Sequence, residues 1–310
     1  MTFRTTLAAL TLAALALPAA AQERVTYKSA KAGSSYYQMG VQLSEALDGA
    51  ADMTIEESQG SVQNVMEVRA RGADYVFTSP PGLIAAAQNA AGPFDGKGDP
   101  AFDGIRALFP IPSLTMHFVV SEESGINSFA DMAGKTILLG SGSFGAREGE
   151  KYLGLFGVAD AVDIADAELS NAVAALKNGQ IDGFVTAGSY PAPNVIEAAA
   201  STGVRVLSLS DEQVEQTGRT RLVIPAGTYA GQDADVVTTS LPVVAYATAA
   251  MSEDTAYALT RAYWENKDAL GGAAAWWNGV APEMIGAVTT QIHPGAARYY
   301  REIGVALPES

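Results

Sequence analysis

The 310-residue chain contains no cysteine. That excludes disulfides, thiolate metal sites, a cysteine nucleophile and the lipid-bearing cysteine of a lipoprotein. Histidine is nearly absent too. His117 and His293 are the two, without ligand spacing, so no metal site and no cofactor are expected and both rings read as structural hydrogen-bonders. No G-x-S-x-G elbow occurs, which leaves hydrolase chemistry without its usual nucleophile. Positive charge is scarce, with 19 Lys and Arg against 34 Asp and Glu and a net charge of −15. Such a balance opposes binding to nucleic acid or to an anionic membrane surface. Past Ala21 no apolar run is long enough to span a bilayer, so the processed chain is expected not to insert into a membrane.

The first residues do carry an apolar run. Arg4 precedes Leu7 to Leu17, and Pro18-Ala19-Ala20-Ala21 follows. Short basic region, apolar core and small residues in that order read as a secretory signal peptide over residues 1–21, cut between Ala21 and Gln22. The run falls well short of the roughly 20 residues a membrane helix needs. A periplasmic location is expected, and with no twin-arginine pair the chain would cross the membrane unfolded, without a preloaded cofactor. Hydrophobic residues make up 48% and charged residues 17%, enough to build a sizeable core in one large domain or two ordinary ones.

Strand-like runs alternate with helical patterns. Val25-Thr26-Tyr27, Met53 to Glu57 and Asp74 to Thr78 read as strands, each followed by a polar loop and a helix: Tyr36 to Leu47, the Val62/Val65/Met66/Arg69 stripe, and Gly82 to Asn89. Ile105 to Phe109 and His117 to Ser121 read as two strands around Pro110 and Pro112. A second series follows, with strands at Thr136 to Leu139, Gly183 to Thr186 and Val204 to Leu209. Its helices are Gly145 to Phe156, Asn171 to Asn178 and Pro193 to Thr202. A return crossing is expected around Arg221 to Pro225, then one long helix from Glu253 to Leu270 and a last one from Gly295 to Glu302. The expected architecture is an α/β clamshell, residues 22–112 and 222–310 forming lobe one and 113–221 lobe two, with ligand binding where loops leave the strand ends.

Those loops carry the candidate site. Gly33-Ser34-Ser35-Tyr36, Gly60-Ser61 and Thr78-Ser79 lie at strand-to-helix junctions of lobe one. Gly140-Ser141-Gly142-Ser143 and Gly188-Ser189-Tyr190 do so in lobe two. Helix N-termini flanked by hydroxyls suit an anion. The candidate ligand-binding residues are Gly33, Ser34, Ser35, Tyr36, Ser61 and Ser79, with Ser141, Ser143, Arg147 and Tyr190 closing from the other side. Arg147 is the preferred cation for a ligand carboxylate and Lys31 the alternative. Gly140 to Gly145 also satisfies G-x-G-x-x-G, with Asp163 and Asp166 about where a ribose-binding acid stands. The competing reading is therefore an exported NAD(P)-dependent oxidoreductase, although Gly149 and Gly154 are expected to break the helix behind that loop. Trp276-Trp277 reads as core packing or lobe contact.

Five stretches resemble the TAXI family of solute receptors for TRAP transporters. They are Gly33 to Tyr37 with Gly40; Gly60-Ser61-Val62-Gln63-Asn64; Ser124-Gly125-Ile126 with Asp131 to Lys135; Gly179 to Gly183; and His293-Pro294-Gly295-Ala296 with Arg298 to Glu302. The likeness covers nearly the whole processed chain, the last stretch being the most specific. Two departures stand out: Ala30-Lys31-Ala32-Gly33 has fewer glycines than the family's first loop, and Ser143 or Ala146 stands where the family usually has threonine. The resemblance implies a type II periplasmic-binding-protein fold, two Rossmann-like lobes joined by a hinge. It further implies a monomeric receptor rather than an enzyme, a small carboxylate ligand such as glutamate or glutamine, and a TRAP membrane permease as partner.

Overall fold

The structure, a computed structural model, describes residues 23–308. The expected signal peptide lies outside the described residues. Among the described residues no helix is long and apolar enough to cross a membrane.

The chain opens with β1 (Arg24–Lys28), α1 (Ser35–Ala46), β2 (Asp52–Glu56), α2 (Ser61–Glu67), β3 (Tyr75–Ser79) and α3 (Pro81–Gln88). Strands β2, β1 and β3 lie side by side and parallel, Tyr27 opposing Ile55 on one side and Val76 on the other. Local chemistry starts α1 and α3. Ser34 Oγ accepts from Tyr37 N at 3.2 Å to cap α1, and Pro81 occupies the first position of α3, where no N–H is needed.

Strand β4 (Ile105–Ser121) is continuous through Pro110 and Pro112, where two strands are expected. It leads into β5 (Thr136–Leu138), α4 (Phe144–Leu155), β6 (Asp163–Ala165), α5 (Ala172–Lys177), β7 (Gly183–Gly188), α6 (Pro193–Ser201), β8 (Val204–Val206), α7 (Asp211–Thr217) and β9 (Thr220–Ile224). Then come β10 (Val236–Thr248), α8 (Glu253–Glu265), α9 (Lys267–Ala273) and α10 (Pro294–Glu302). Strands β4 and β10 are antiparallel partners running through both lobes. The second half of β10 and the first half of β4 extend the β2-β1-β3 sheet. The first half of β10 pairs with β9, and the second half of β4 pairs with β7 and β8. Register shifts between Leu241 and Val243 as the ladder passes Pro112 and Pro242. Prolines lack the ladder donor and sit at such irregularities. Arg221 to Pro225, where the return crossing is expected, falls on and just after β9, which pairs with the first half of β10 within a single ten-stranded sheet.

Two expectations fail for identifiable reasons. Gly149 does not break α4: a Cβ there would meet Val185 Cγ1 at 3.2 Å and Leu139 Cδ2 at 3.3 Å, so glycine lets the helix lie close on the strands. The single helix expected from Glu253 to Leu270 divides at Asn266, whose Nδ2 donates to Ala262 O and Ala46 O, both at 2.9 Å. An asparagine side chain bonding to nearby carbonyls competes with continued helix.

Aromatic rings fill both lobes. Phe77 stacks between Tyr75 and Tyr246, Phe109 stacks on Tyr263 at 4.2 Å, and Phe118 packs on Phe129 and Tyr152. Each fully buried ring stabilises the fold by about 1.5–3 kcal/mol.

Candidate ligand cleft

The loops at the strand ends of the two lobes enclose a cavity of about 90 Å³. Three helices begin at its wall: α1 at Ser34, α2 at Gly60 and α4 at Ser143. The first four N–H groups of a helix have no partner within it. Ser34 Oγ takes Tyr37 N and Ser143 Oγ takes Ala146 N at 2.9 Å, leaving the earlier N–H groups of each first turn beside the cavity. The helix dipoles add partial positive charge at the same points. Leu114, Val243 and Phe144 supply an apolar wall.

Of the residues singled out from sequence, Ser34, Tyr36, Ser61, Ser141 and Ser143 line this cavity. Gly33 precedes the α1 cap with φ +84°, a conformation that glycine adopts without strain. Ser35 and Ser79 are buried and hold the frame. Ser35 Oγ accepts from Ser189 N at 3.0 Å across the lobes. Ser79 Oγ lies 3.0 Å from Ser61 O and 3.1 Å from the Tyr246 hydroxyl. Arg147 and Tyr190 are not brought to this cavity. Arg147 is exposed on α4. Tyr190 borders a separate cavity of about 240 Å³ with Pro112 and Trp276. The cation that reaches the cleft is Lys31, whose Nζ lies 3.4 Å from Glu168 Oε2 of the other lobe.

Sequence reasoning missed Ser29 and Glu168 at the cavity; Gln59 and Thr78, which fall in the polar junction segments read from the sequence but not among the chosen site residues, also line it. Ser29 directly follows β1 and Thr78 is the penultimate residue of β3, and the buried Asn64 of α2 ties their carbonyls together, donating from Nδ2 to Ser29 O at 2.8 Å and to Thr78 O at 3.0 Å. The G-S-x-x-N stretch carries a signal for this: its asparagine falls on the inward face of α2.

The glycine loop has a packing explanation. Gly140, at φ +81°, leaves only 2.9 Å between a built Cβ and Leu169 Cβ, and at Gly145 a Cβ would meet Ala187 Cβ at 3.0 Å. Ser141 Oγ donates to Asp166 Oδ1 at 2.7 Å. The loop does follow β5 and open α4, with β6 parallel to β5, so the local βαβ unit is real, but it faces lobe one across a closed cavity.

Both histidines are buried and hydrogen-bonded away from the cavity. His117 Nε2 lies 2.9 Å from the Tyr229 hydroxyl and Nδ1 3.1 Å from Thr115 O. His293 Nδ1 accepts from Gly295 N at 3.2 Å and caps α10. Trp277 is core, donating to Gln42 Oε1 at 2.7 Å, while Trp276 is half-buried and shares that acceptor.

Contacts across the cleft hold the lobes together. They are Ser189 N to Ser35 Oγ and Lys31 Nζ to Glu168 Oε2; on either side of that seam the Tyr36 hydroxyl donates to Pro112 O at 3.0 Å within lobe one and Ser189 Oγ to Ser113 O at 2.7 Å within lobe two.

The architecture matches solved structures across nearly the full chain. MatC from Rhodopseudomonas palustris, solved with bound malate, aligns at a TM-score of 0.58 and 13% identity over 93% of this chain and 97% of that one. The periplasmic binding protein BugD gives 0.59 and 11% over 92% and 98%. R. palustris Rpa4515 with adipate gives 0.57 and 15% over 91% and 93%. The fold is therefore the two-lobed α/β fold of periplasmic binding proteins. The model of the NMT1-like family matches residues 28–304, and the chain belongs to that family.

Proposed function

We propose that the protein is an exported solute receptor that closes its lobes, divided near Pro112 and Pro242, on a small carboxylate-containing ligand and passes it to a membrane permease. One observation carries this reading: three helix N-termini from two lobes meet at a single cavity lined by seryl hydroxyls. Such donors hold a carboxylate without a buried cation, which reconciles an anionic ligand with so acidic a chain. The bound, closed form is the one the permease recognises, a population shift driven by differential affinity. The signal-peptide pattern supports a periplasmic location. Placement in the TAXI group, a TRAP-type permease and a glutamate- or glutamine-like ligand are the finer parts of the proposal and rest on the motif resemblance. The solved complexes with malate and adipate support small organic acids as the first ligands to test.

The test is a thermal-shift screen of ligand-stripped processed protein against amino acids, dicarboxylates, oxoacids and sugars. A ligand at 100 times its dissociation constant adds about 2.7 kcal/mol. A shift confined to carboxylates supports the receptor. The βαβ unit with Asp166 beside Ser141 favours a second reading, nucleotide binding, and NAD and NADP belong in the panel. A shift with either, and silence elsewhere, overturns the receptor reading.

A further inference from the structure

Two charged side chains line the cavity, Lys31 and Glu168, and they face each other across the lobes at 3.4 Å. Lys31 stands in the loop between β1 and α1 and Glu168 in the loop after β6, so the pair links the two lobes. The rest of the lining is neutral, made of hydroxyls, Gln59, exposed backbone and apolar side chains. Two more carboxylates stand just behind it: Glu57 Oε1 accepts from Ala32 N at 2.7 Å, and Asp166 Oδ1 from Ser141 Oγ at 2.7 Å.

The charge arrangement treats a first and a second ligand carboxylate differently. The first is met by first-turn N–H groups, neutral donors that carry no counter-ion to displace. A second would have to take Lys31 from Glu168 or lie beside Glu57, Asp166 and Glu168 without compensation; the pair is partly solvated, so screening reduces the like-charge repulsion and the expected discrimination is modest. We infer that the Lys31–Glu168 pair is a charge filter: the cleft takes ligands of single negative charge with an otherwise neutral body and discriminates against dicarboxylates. This rests on the receptor reading and narrows it. Glu168 supplies the discrimination through repulsion as much as Lys31 does through attraction, the usual way specificity is built.

Because the pair also joins the lobes, its loss weakens closure on every ligand alike, so the informative quantity is an affinity ratio. Calorimetric titration with matched pairs (hexanoate with adipate, 3-hydroxybutyrate with malate) gives that ratio for the wild-type protein, Glu168→Gln and Lys31→Met. The wild-type protein should prefer the singly charged member of the bound pair by about tenfold, equivalent to about 1.4 kcal/mol. Glu168→Gln frees Lys31 and should bring that ratio to about one. Lys31→Met should weaken every anion and raise the ratio. A wild-type preference for the dicarboxylate, or a ratio unmoved by Glu168→Gln, overturns the filter and leaves the receptor standing. Absence of binding to any member overturns both.

Discussion

Asn64 shows how one side chain shapes the cleft without touching a ligand. Its amide donates to the carbonyls of Ser29 and Thr78, two residues of the cavity wall. Asn64→Ala should lower stability by about 1–3 kcal/mol, because buried acceptors lose a donor. Asn64→Asp should be worse, since an ionised carboxylate of the same shape can only accept and would face those carbonyls. Urea midpoints rank the two, and calorimetry should show weaker ligand binding in both. His117 makes a pH prediction. Burial pushes its imidazole down to about 4, against partial opposition from hydrogen bonds to backbone carbonyls. The unfolded chain takes up the proton near the ordinary 6.5, the folded chain only near 4. Stability is therefore complete above about pH 6.5 and falls by about 3 kcal/mol as the pH drops to 4. Urea midpoints between pH 4 and 7 should show a shallower decline for His117→Gln than for the wild-type protein.

At the scale of elements, the C-terminal stretch His293-Pro294-Gly295 is a docking device between helices. His293 caps α10 and reaches Met251 O with Nε2 at 3.1 Å, and a Cβ at Gly295 would stand 2.0 Å from Glu253 O at the start of α8. Backbone cannot yield as a flexible side chain does. Gly295→Ala should push α10 off α8 and lower stability by about 1–3 kcal/mol, visible as a fall in melting temperature of several degrees. The motif that carries the family likeness most specifically thus has a packing reason, and its histidine is occupied structurally.

For the whole molecule, the proposed receptor function turns on closure. Gly188 of β7 faces Ser35 of α1, and a Cβ there would meet Ser35 Oγ at 2.7 Å. Under the proposed function, closure is what brings the two residues together. Gly188→Ala should therefore weaken ligand binding by about tenfold while leaving the melting temperature of the ligand-free protein within a few degrees. Adding Ser35→Ala, which removes the clashing oxygen, should recover most of the affinity. Equal loss in single and double variants would show that closure does not bring these residues together. Strands β4 and β10 run on through both lobes, with Pro112 and Pro242 at the first of the two register shifts in their ladder.

The chain order alone determined the alternation of strand, loop and helix, because periodicity, caps such as Ser34 and Ser143, and N-terminal prolines are local signals. It also placed hydroxyl-bearing loops at strand ends, and Ser34, Tyr36, Ser61, Ser141 and Ser143 do meet at one cavity. Which serines face the cavity was not legible. A step of one residue in a first helical turn swings a side chain by about 100°, and so separates Ser34 from the buried Ser35. Arg147, one turn beyond Ser143 along the axis of α4, is exposed and does not line the cavity. The course of β10, the capping box that starts α7 at Ser210, and the approach of Glu168 to Lys31 depend on partners far away in sequence or on weak local patterns. Those choices belong to the tertiary structure: strand pairing and lobe closure fix distances between segments that no spacing along the chain encodes.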